Sequence, residues 1–208
     1  HDISLYNVFR RFVKPLERYK RYITDDLDPF YLDEEIAVVG VNTARSFTIK
    51  DGKVSSDQLA TVRRQLEHVP LDVTRIIVAH HPFDLPEHFE ERNLVSRAPR
   101  AIQAFSECGV DILMGGHMHA SHAGSTAARY QMSEYAALVV QAGTATSTRG
   151  RGEGNSFNVV RVEPQKVEID RYGWDVVHGH FELVDTEKFM RAGSVWTPHI
   201  DGLLAAGL

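Results

Sequence analysis

Two histidines separated by one residue follow a short apolar run near the middle of the chain. Residues 110–114 are mainly apolar, Gly115 and Gly116 follow them, and His117 and His119 come next. Imidazole is a borderline ligand that suits zinc, iron, manganese or nickel, and glycine lets a backbone approach a site closely because it carries no Cβ. An H-x-H pair alone is a weak indication of metal, and two polar residues in an exposed loop is the alternative interpretation.

A second segment repeats the same order of residues. Residues 76–79 are an apolar run that His80 and His81 follow, and Pro82 stops the strand. Residues 96–109 predict a crossover helix between the two runs. Because ligands of open α/β sheets bind at the carboxyl ends of the strands, we expect both histidine groups at one edge of a sheet. The conjunction favours a metal site over two exposed loops.

Composition limits the classes of protein that the chain can belong to. The 208 residues are 43% hydrophobic and 25% charged, which predicts one ordinary globular domain. No run approaches the ~20 apolar residues of a membrane span, and the single Cys108 cannot form an internal disulfide, which indicates a reducing, cytoplasmic setting. The net charge of −5 gives no basic surface for nucleic acid, so a phosphate-bearing substrate would be held locally, by metal.

The remaining pattern predicts one sheet with parallel strands, followed by a second, mainly antiparallel sheet. Ser55 and Gln58 form a capping-box pattern that predicts the start of an amphipathic helix. Other predicted elements are a helix over 5–23 interrupted at Pro15, an edge strand over 30–32, a core strand over 36–42, a tight turn at 51–52, and late strands over 136–141, 157–162, 167–172 and 176–184. Residues from 185 onward predict a short helix and a loosely held tail.

Several blocks of the sequence together resemble the calcineurin-like metallophosphoesterases, and most closely the branch that contains class III cyclic nucleotide phosphodiesterases. The family pattern is D-x-H, G-D, G-N-H-[D/E], [G/A]-H and G-H-x-H. The chain matches its last three blocks, the first of them only from its histidine onward. The matching segments are His1-Asp2, Ala79-His80, and Gly116-His117-Met118-His119, with Asn155-Ser156-Phe157-Asn158-Val159-Val160 following them.

The resemblance implies an α/β/β/α sandwich of which this chain is the carboxyl-terminal portion. The family blocks D-x-H and G-D and the asparagine of G-N-H do not occur before His1. We therefore expect residues 1–184 to be the carboxyl-terminal portion of the metallophosphoesterase domain of a longer protein, and residues 185–208 to be the short helix and tail.

The resemblance also implies a role for each matching residue. His80, His117 and His119 would bind two metal ions, which in this family are manganese, iron or zinc. His1 would protonate the leaving oxygen or stabilise the transferring phosphoryl group, and Asp2 would orient its ring. Side chains that could contact the substrate are His81, His122 and Arg149. Arg149 could instead contact the partner subunit of a homodimer, and a solvated charged loop is the simpler interpretation of its Gly- and Arg-rich segment.

These residues imply a dinuclear phosphohydrolase that attacks small phosphodiesters, cyclic nucleotides among them, with metal-bound hydroxide. Two cations about 3.5–4 Å apart can clamp the oxygens of an anionic ester while they activate water. The alternatives are a phosphomonoesterase or nuclease of the same fold, or a non-catalytic interaction module that kept the scaffold. Asp84 and Asp111 are candidate acceptors for the second ring nitrogen of a ligand histidine.

A second H-x-H pair, His178 and His180, lies in a late strand pattern. This pair does not follow an apolar run that would place it at the carboxyl end of a parallel strand. The sequence therefore favours a structural or solvated role for both side chains over metal binding.

Overall fold

Two β-sheets that pack face to face form the core of the computed structural model, which describes residues 16–44, 52–86, 89, 91–146 and 154–199. The first sheet is mixed and has the strand order β1-β2-β3-β4-β6-β5. Its strands are β1 Phe30–Leu32, β2 Ile36–Val41, β3 Thr74–Ala79, β4 Ile112–Gly115, β5 His122–Ser125 and β6 Leu138–Gln141. The four central strands β2, β3, β4 and β6 are parallel, and β1 and β5 are antiparallel edges.

The second sheet is antiparallel and has the order β10-β9-β8-β7. Its strands are β7 Ser156–Glu163, β8 Lys166–Asp175, β9 His180–Ala192 and β10 Val195–Pro198. The described helices are α1 Glu17–Tyr22, α2 Ser56–Leu66 and α3 Ala98–Glu107. These elements confirm the predicted two-sheet α/β sandwich and its antiparallel second sheet.

Alternating apolar residues on β2 show how the first sheet is covered on both faces. Ala37 and Val39 belong to the buried cluster that includes the apolar faces of α2 and α3. Ile36 and Val38 pack instead against the cluster that Phe189 and other residues of the second sheet form. Since successive side chains of a strand point to opposite faces, the run Ile36–Val41 must be apolar throughout, which is why its sequence reads as a core strand.

Helix α2 begins where the sequence predicts, and α3 lies within the predicted range 96–109. Ser55 caps α2: its side chain accepts from Gln58 N, and the Gln58 side chain accepts from Ser55 N, so the predicted capping box is confirmed. Proline occupies the first turn of α3, where its missing N–H removes no helical hydrogen bond. Because α3 connects the parallel neighbours β3 and β4, the predicted strand-helix-strand unit is confirmed.

The prediction for the carboxyl-terminal segment is wrong. Residues 185–192 continue β9 and residues 195–198 form β10, so a helix does not begin at Asp185 in the described part. The predicted strand over 176–184 also begins late, because residues 176–179 are the turn between β8 and β9. Burial explains the strands: Phe189 and Trp196 are each 1% exposed and close the second hydrophobic cluster. The predictions for residues 5–15, for the turn at 51–52 and for the tail beyond 199 concern segments that lie at least partly outside the described residues.

None of the helices in the described part of the chain is long and apolar enough to cross a membrane.

Candidate metal centre

The candidate site lies at the edge of the first sheet where its parallel strands end. Polar side chains follow each of the four parallel strands: Thr43 after β2, His80 and His81 after β3, His117 and His119 after β4, and Thr144 after β6. Because the carboxyl ends of parallel strands share one edge, these loops are neighbours in space. The edge therefore carries the chain's central histidines together with two threonine hydroxyls.

Three imidazoles converge at this edge. The ring nitrogens of His80, His81 and His117 that could bind a metal all lie within 4.8 Å of one another. His80 Nε2 lies 3.1 Å from His117 Nδ1, and the ring of His81 lies 4.6 Å from that of His117, centroid to centroid. Gly116 N also donates to His80 O at 3.2 Å, which ties the two histidine loops together.

This donor set fits one borderline metal ion. Ligand atoms bonded at about 2.0–2.1 Å to a tetrahedral ion are separated by about 3.4 Å, close to the 3.1 Å between the His80 and His117 nitrogens. Imidazole nitrogens suit zinc, iron, manganese or nickel. His80 is exposed and His81 is buried, so an ion could enter from solvent on the His80 side.

Thr43 and Gly52 fix the position of His81, and the sequence analysis identified neither residue. The Thr43 hydroxyl lies 2.8 Å from His81 Nδ1 and also accepts from His81 N at 3.2 Å. A Cβ at Gly52 would lie 2.4 Å from His81 Cγ, so only glycine leaves room for the ring. Coordination by His81 would therefore use Nε2, with Thr43 as the outer partner that orients the ring.

We expect Gly52→Ala to lower metal affinity about 10–100-fold, the range typical when an outer partner of a metal-binding histidine is lost. The new methyl group would displace the His81 ring and break its contact with Thr43. Competition with a metal chelator measures the effect. Gly154→Ala is the matched control, because a Cβ there meets no atom within 4 Å. Equal affinities in the two variants would show that His81 is not a ligand.

His117 and His119 both adopt backbone conformations that glycine usually occupies. Their φ angles are +70° and +58°. The left-handed region costs a non-glycine residue about 1–2 kcal/mol, and such strain in native proteins is concentrated at functional sites. The strain at two successive candidate ligands supports a role for their side chains.

The two glycines before His117 have different reasons to be glycine. A Cβ at Gly115 would lie 2.8 Å from Gln141 Nε2, so Gly115 is required by the neighbouring strand. A Cβ at Gly116 would meet only His80 O, at 4.0 Å. The expected close approach of both glycines to the site is therefore not found, because the tight contact at Gly115 is with Gln141 and Gly116 has room for a side chain.

His119 and His122 lie outside the group of three imidazoles. The Nδ1 atom of His119 lies 2.6 Å from Thr144 Oγ1, so the loop after β6 holds this ring. His122 begins β5 and lines a cavity of about 510 Å³ together with Asp84 and Arg129. In that cavity Arg129 Nε donates to Asp84 Oδ1 at 2.8 Å.

The two aspartates considered as outer acceptors bind other groups. Burial raises the pKa of the Asp84 carboxyl, although hydrogen bonds from Leu85 N and Arg129 oppose the shift. Asp111 precedes β4 and accepts from Arg191 at 2.6 Å, so it lies at the opposite end of that strand from His117. His1, Asp2 and Arg149 lie outside the described residues.

Comparisons with known proteins find similarity only to solved structures. No protein-family model matches the chain, and no curated protein matches it. Solved structures that are similar to it include Vps29 of Chaetomium thermophilum, with 11% identity and a TM-score of 0.37 over 83% of this chain and 64% of that one. A putative 5′-nucleotidase of Staphylococcus aureus shares 16% identity with a TM-score of 0.38 over 80% and 29%.

GAP50, the anchor in the inner membrane complex of Plasmodium, shares 13% identity with a TM-score of 0.45 over 76% of this chain and 53% of its own. The chain thus spans less than two thirds of each of these three structures. At these identities and TM-scores the likenesses assign no family and no activity.

Proposed function

We propose that this chain is a metal-dependent phosphoric ester hydrolase that acts on small phosphodiesters, cyclic nucleotides among them. The observation that supports the proposal most is the convergence of His80, His81 and His117 within 4.8 Å at the carboxyl edge of the parallel strands. The blocks Ala79-His80 and Gly116-His117-Met118-His119, which resemble those of calcineurin-like metallophosphoesterases, lie on this edge.

The charge of the donor set suits an anionic substrate. Histidine coordinates through a neutral imidazole, so three such ligands would leave the full positive charge of an ion uncompensated. When bound, the metal would supply Lewis acidity, which neutralises the charge of the ester and makes water a better nucleophile. A phosphodiester would therefore be attracted to the edge where His80 is exposed.

The remaining residues are proposed in the roles that the resemblance implies. His119, held by Thr144, would bind a second manganese, iron or zinc ion. His1 would deliver a proton to the leaving oxygen, with Asp2 orienting it. His122 and Arg149 would contact the substrate, and His81 would do so where it does not bind metal.

A non-catalytic interaction module is the second candidate function. Within the described residues, the group of donors at the edge contains three imidazoles and no carboxylate. Dinuclear hydrolytic centres need a ligand that bridges both ions, and a site made of imidazoles alone would hold a single ion. A protein that binds one ion and does not hydrolyse esters would support this candidate.

Counting metals and assaying a chromogenic phosphodiester tests the proposal. We expect the purified protein to retain metal through dialysis, to hydrolyse bis(p-nitrophenyl) phosphate in the presence of Mn²⁺, and to lose the activity when a chelator is added. A chromogenic monoester assayed in parallel separates a diesterase from a monoesterase. Metal binding without hydrolysis of either ester, or no metal binding, would overturn the hydrolase proposal and favour the interaction module.

A further inference from the structure

We propose that the tip of the β8–β9 hairpin is a second site for a divalent transition-metal ion, formed by Asp175, His178, His180 and Glu182. The proposal goes beyond the hydrolase function and does not depend on it. The second H-x-H pair, which the sequence alone disfavoured as a metal site, here meets two carboxylates. Donor atoms of Asp175, His178 and Glu182 all lie within 4.8 Å of one another.

Hairpin register places three of the four side chains on one face. Asp175 and His180 are directly opposed in the β8–β9 ladder, and opposed residues point to the same face of a sheet. Glu182 lies two residues beyond His180 on β9 and shares that face, because side chains of a strand alternate. His178, the fourth candidate ligand, lies in the turn between the two strands.

The backbone of the turn positions the Asp175 carboxylate, which is one of the candidate metal ligands. Its Oδ1 atom accepts from Val177 N at 2.7 Å and from His178 N at 3.1 Å, so the backbone fixes one carboxylate oxygen. The second oxygen, Oδ2, faces His178 Nδ1 at 2.5 Å. Gly179, with φ +69°, allows the reversal between the two histidines. The backbone therefore orders the Asp175 carboxylate before any ion binds.

The distances between donor atoms match those around one ion. His178 Nδ1 lies 3.7 Å from Glu182 Oε1, and His180 Nε2 lies 3.0 Å from the same oxygen. Together with the 2.5 Å contact of Asp175, they bracket the ~3.4 Å that separates ligands of a tetrahedral ion with ~2.1 Å bonds. Binding of one ion therefore requires side-chain rotations that separate Asp175 from His178 and bring His178 closer to Glu182.

Charge and accessibility also favour a divalent cation. Two neutral imidazoles and two carboxylates carry a charge that cancels a 2+ ion, unlike the all-imidazole set at the edge of the first sheet. Two nitrogens and two oxygens suit zinc, copper or nickel better than calcium or magnesium, which prefer oxygen. The side chain of His178 is 63% exposed and that of His180 is 57% exposed, so an ion reaches them directly. Exposed His–carboxylate ion pairs alone are the competing explanation of the cluster.

Co²⁺ titration separates the two explanations. In a His80→Ala/His117→Ala background, which removes the imidazole site, we expect a single Co²⁺ ion per chain to give the visible absorption bands of a low-symmetry site. His178→Gln/His180→Gln in the same background should abolish these bands. His68→Gln, at an exposed histidine outside both clusters, is the control that should retain them. Absence of Co²⁺ binding in the control, or unchanged binding in the hairpin variant, would overturn the proposal.

Zn²⁺ titration of the intact protein gives a second test if the background variant does not fold. Amide resonances of residues 174–183 should shift on addition of Zn²⁺ in the parent protein and stay in place in His178→Gln/His180→Gln. No shift in the parent would contradict the hairpin site. Failure of the ester assay with intact Co²⁺ binding at the hairpin would overturn the hydrolase proposal alone.

Discussion

Replacing His117 with alanine should strip metal from the sheet edge and reduce phosphodiester hydrolysis to the background rate. His117 Nδ1 lies 3.1 Å from His80 Nε2, so its loss removes a donor from the centre of the group. Loss of an outer partner alone costs about 10–100-fold in metal affinity, and loss of a ligand should cost at least as much. Chelator competition measures the affinity, and the chromogenic diester assay measures the rate.

Gly116→Ala is the matched control for this prediction. A Cβ at Gly116 meets only His80 O at 4.0 Å, so the variant should keep its metal and its activity. Alanine at position 117 also inherits the same left-handed φ of +70°, so the backbone strain is retained and the ring alone is removed. Parent-like metal affinity in His117→Ala would show that the imidazole group is a packing cluster and not a metal centre.

The location of the site could be predicted from sequence because it depends on strand topology. An apolar run followed by polar residues marks the carboxyl end of a buried strand, and parallel strands bring such ends together. Thr43 after β2 and Thr144 after β6 follow their strands in the same way. Neither was predicted as a site residue, because threonine is common in loops. The two threonines can be assigned to the site only when β2 and β6 are known to be parallel to the neighbouring strands β3 and β4.

Which histidines meet could not be predicted in the same way. His117 and His119 follow the same strand, two and four residues after Gly115, yet His117 joins His80 and His81 whereas His119 contacts Thr144. Their backbone φ angles of +70° and +58° decide where each ring points. Left-handed conformations of non-glycine residues leave no clear trace in sequence, because the surrounding structure imposes them.

The carboxyl-terminal strands were missed for a different reason. β9 alternates weakly, since the residues from 182 to 188 are mostly charged or polar and exposed. Its burial begins only near Phe189, and Trp196 on β10 completes the inter-sheet cluster. The exposed part of β9 is stabilised by its pairing with β8, and β10 pairs only with residues 189–192, so the periodicity of its own sequence could not reveal the strand.

Replacing Asp111 with alanine should destabilise the protein by about 3–5 kcal/mol, the cost typical of removing one partner of a buried ion pair. Asp111 Oδ1 accepts from Arg191 Nη1 at 2.6 Å and from Trp196 Nε1 at 3.3 Å, and Oδ2 accepts from Arg75 N at 2.9 Å. The carboxylate thus joins β3 of the first sheet to β9 and β10 of the second. Without it, the Arg191 guanidinium, 18% exposed, would remain largely buried with its charge unpaired.

Urea unfolding followed by circular dichroism measures this loss, and Glu107→Ala provides the control. Glu107 pairs with Arg63 at 2.7 Å, but both side chains are about half exposed, at 49% and 47%, and exposed pairs contribute only about 0–1 kcal/mol. A loss below ~1 kcal/mol in Asp111→Ala would show that the carboxylate does not hold the sheets together. Because Asp111 precedes β4 and His117 follows it, the folded fraction of the variant should bind metal as the parent does. Weakened metal binding without loss of stability would instead support the prediction from sequence that Asp111 accepts a hydrogen bond from a ligand histidine.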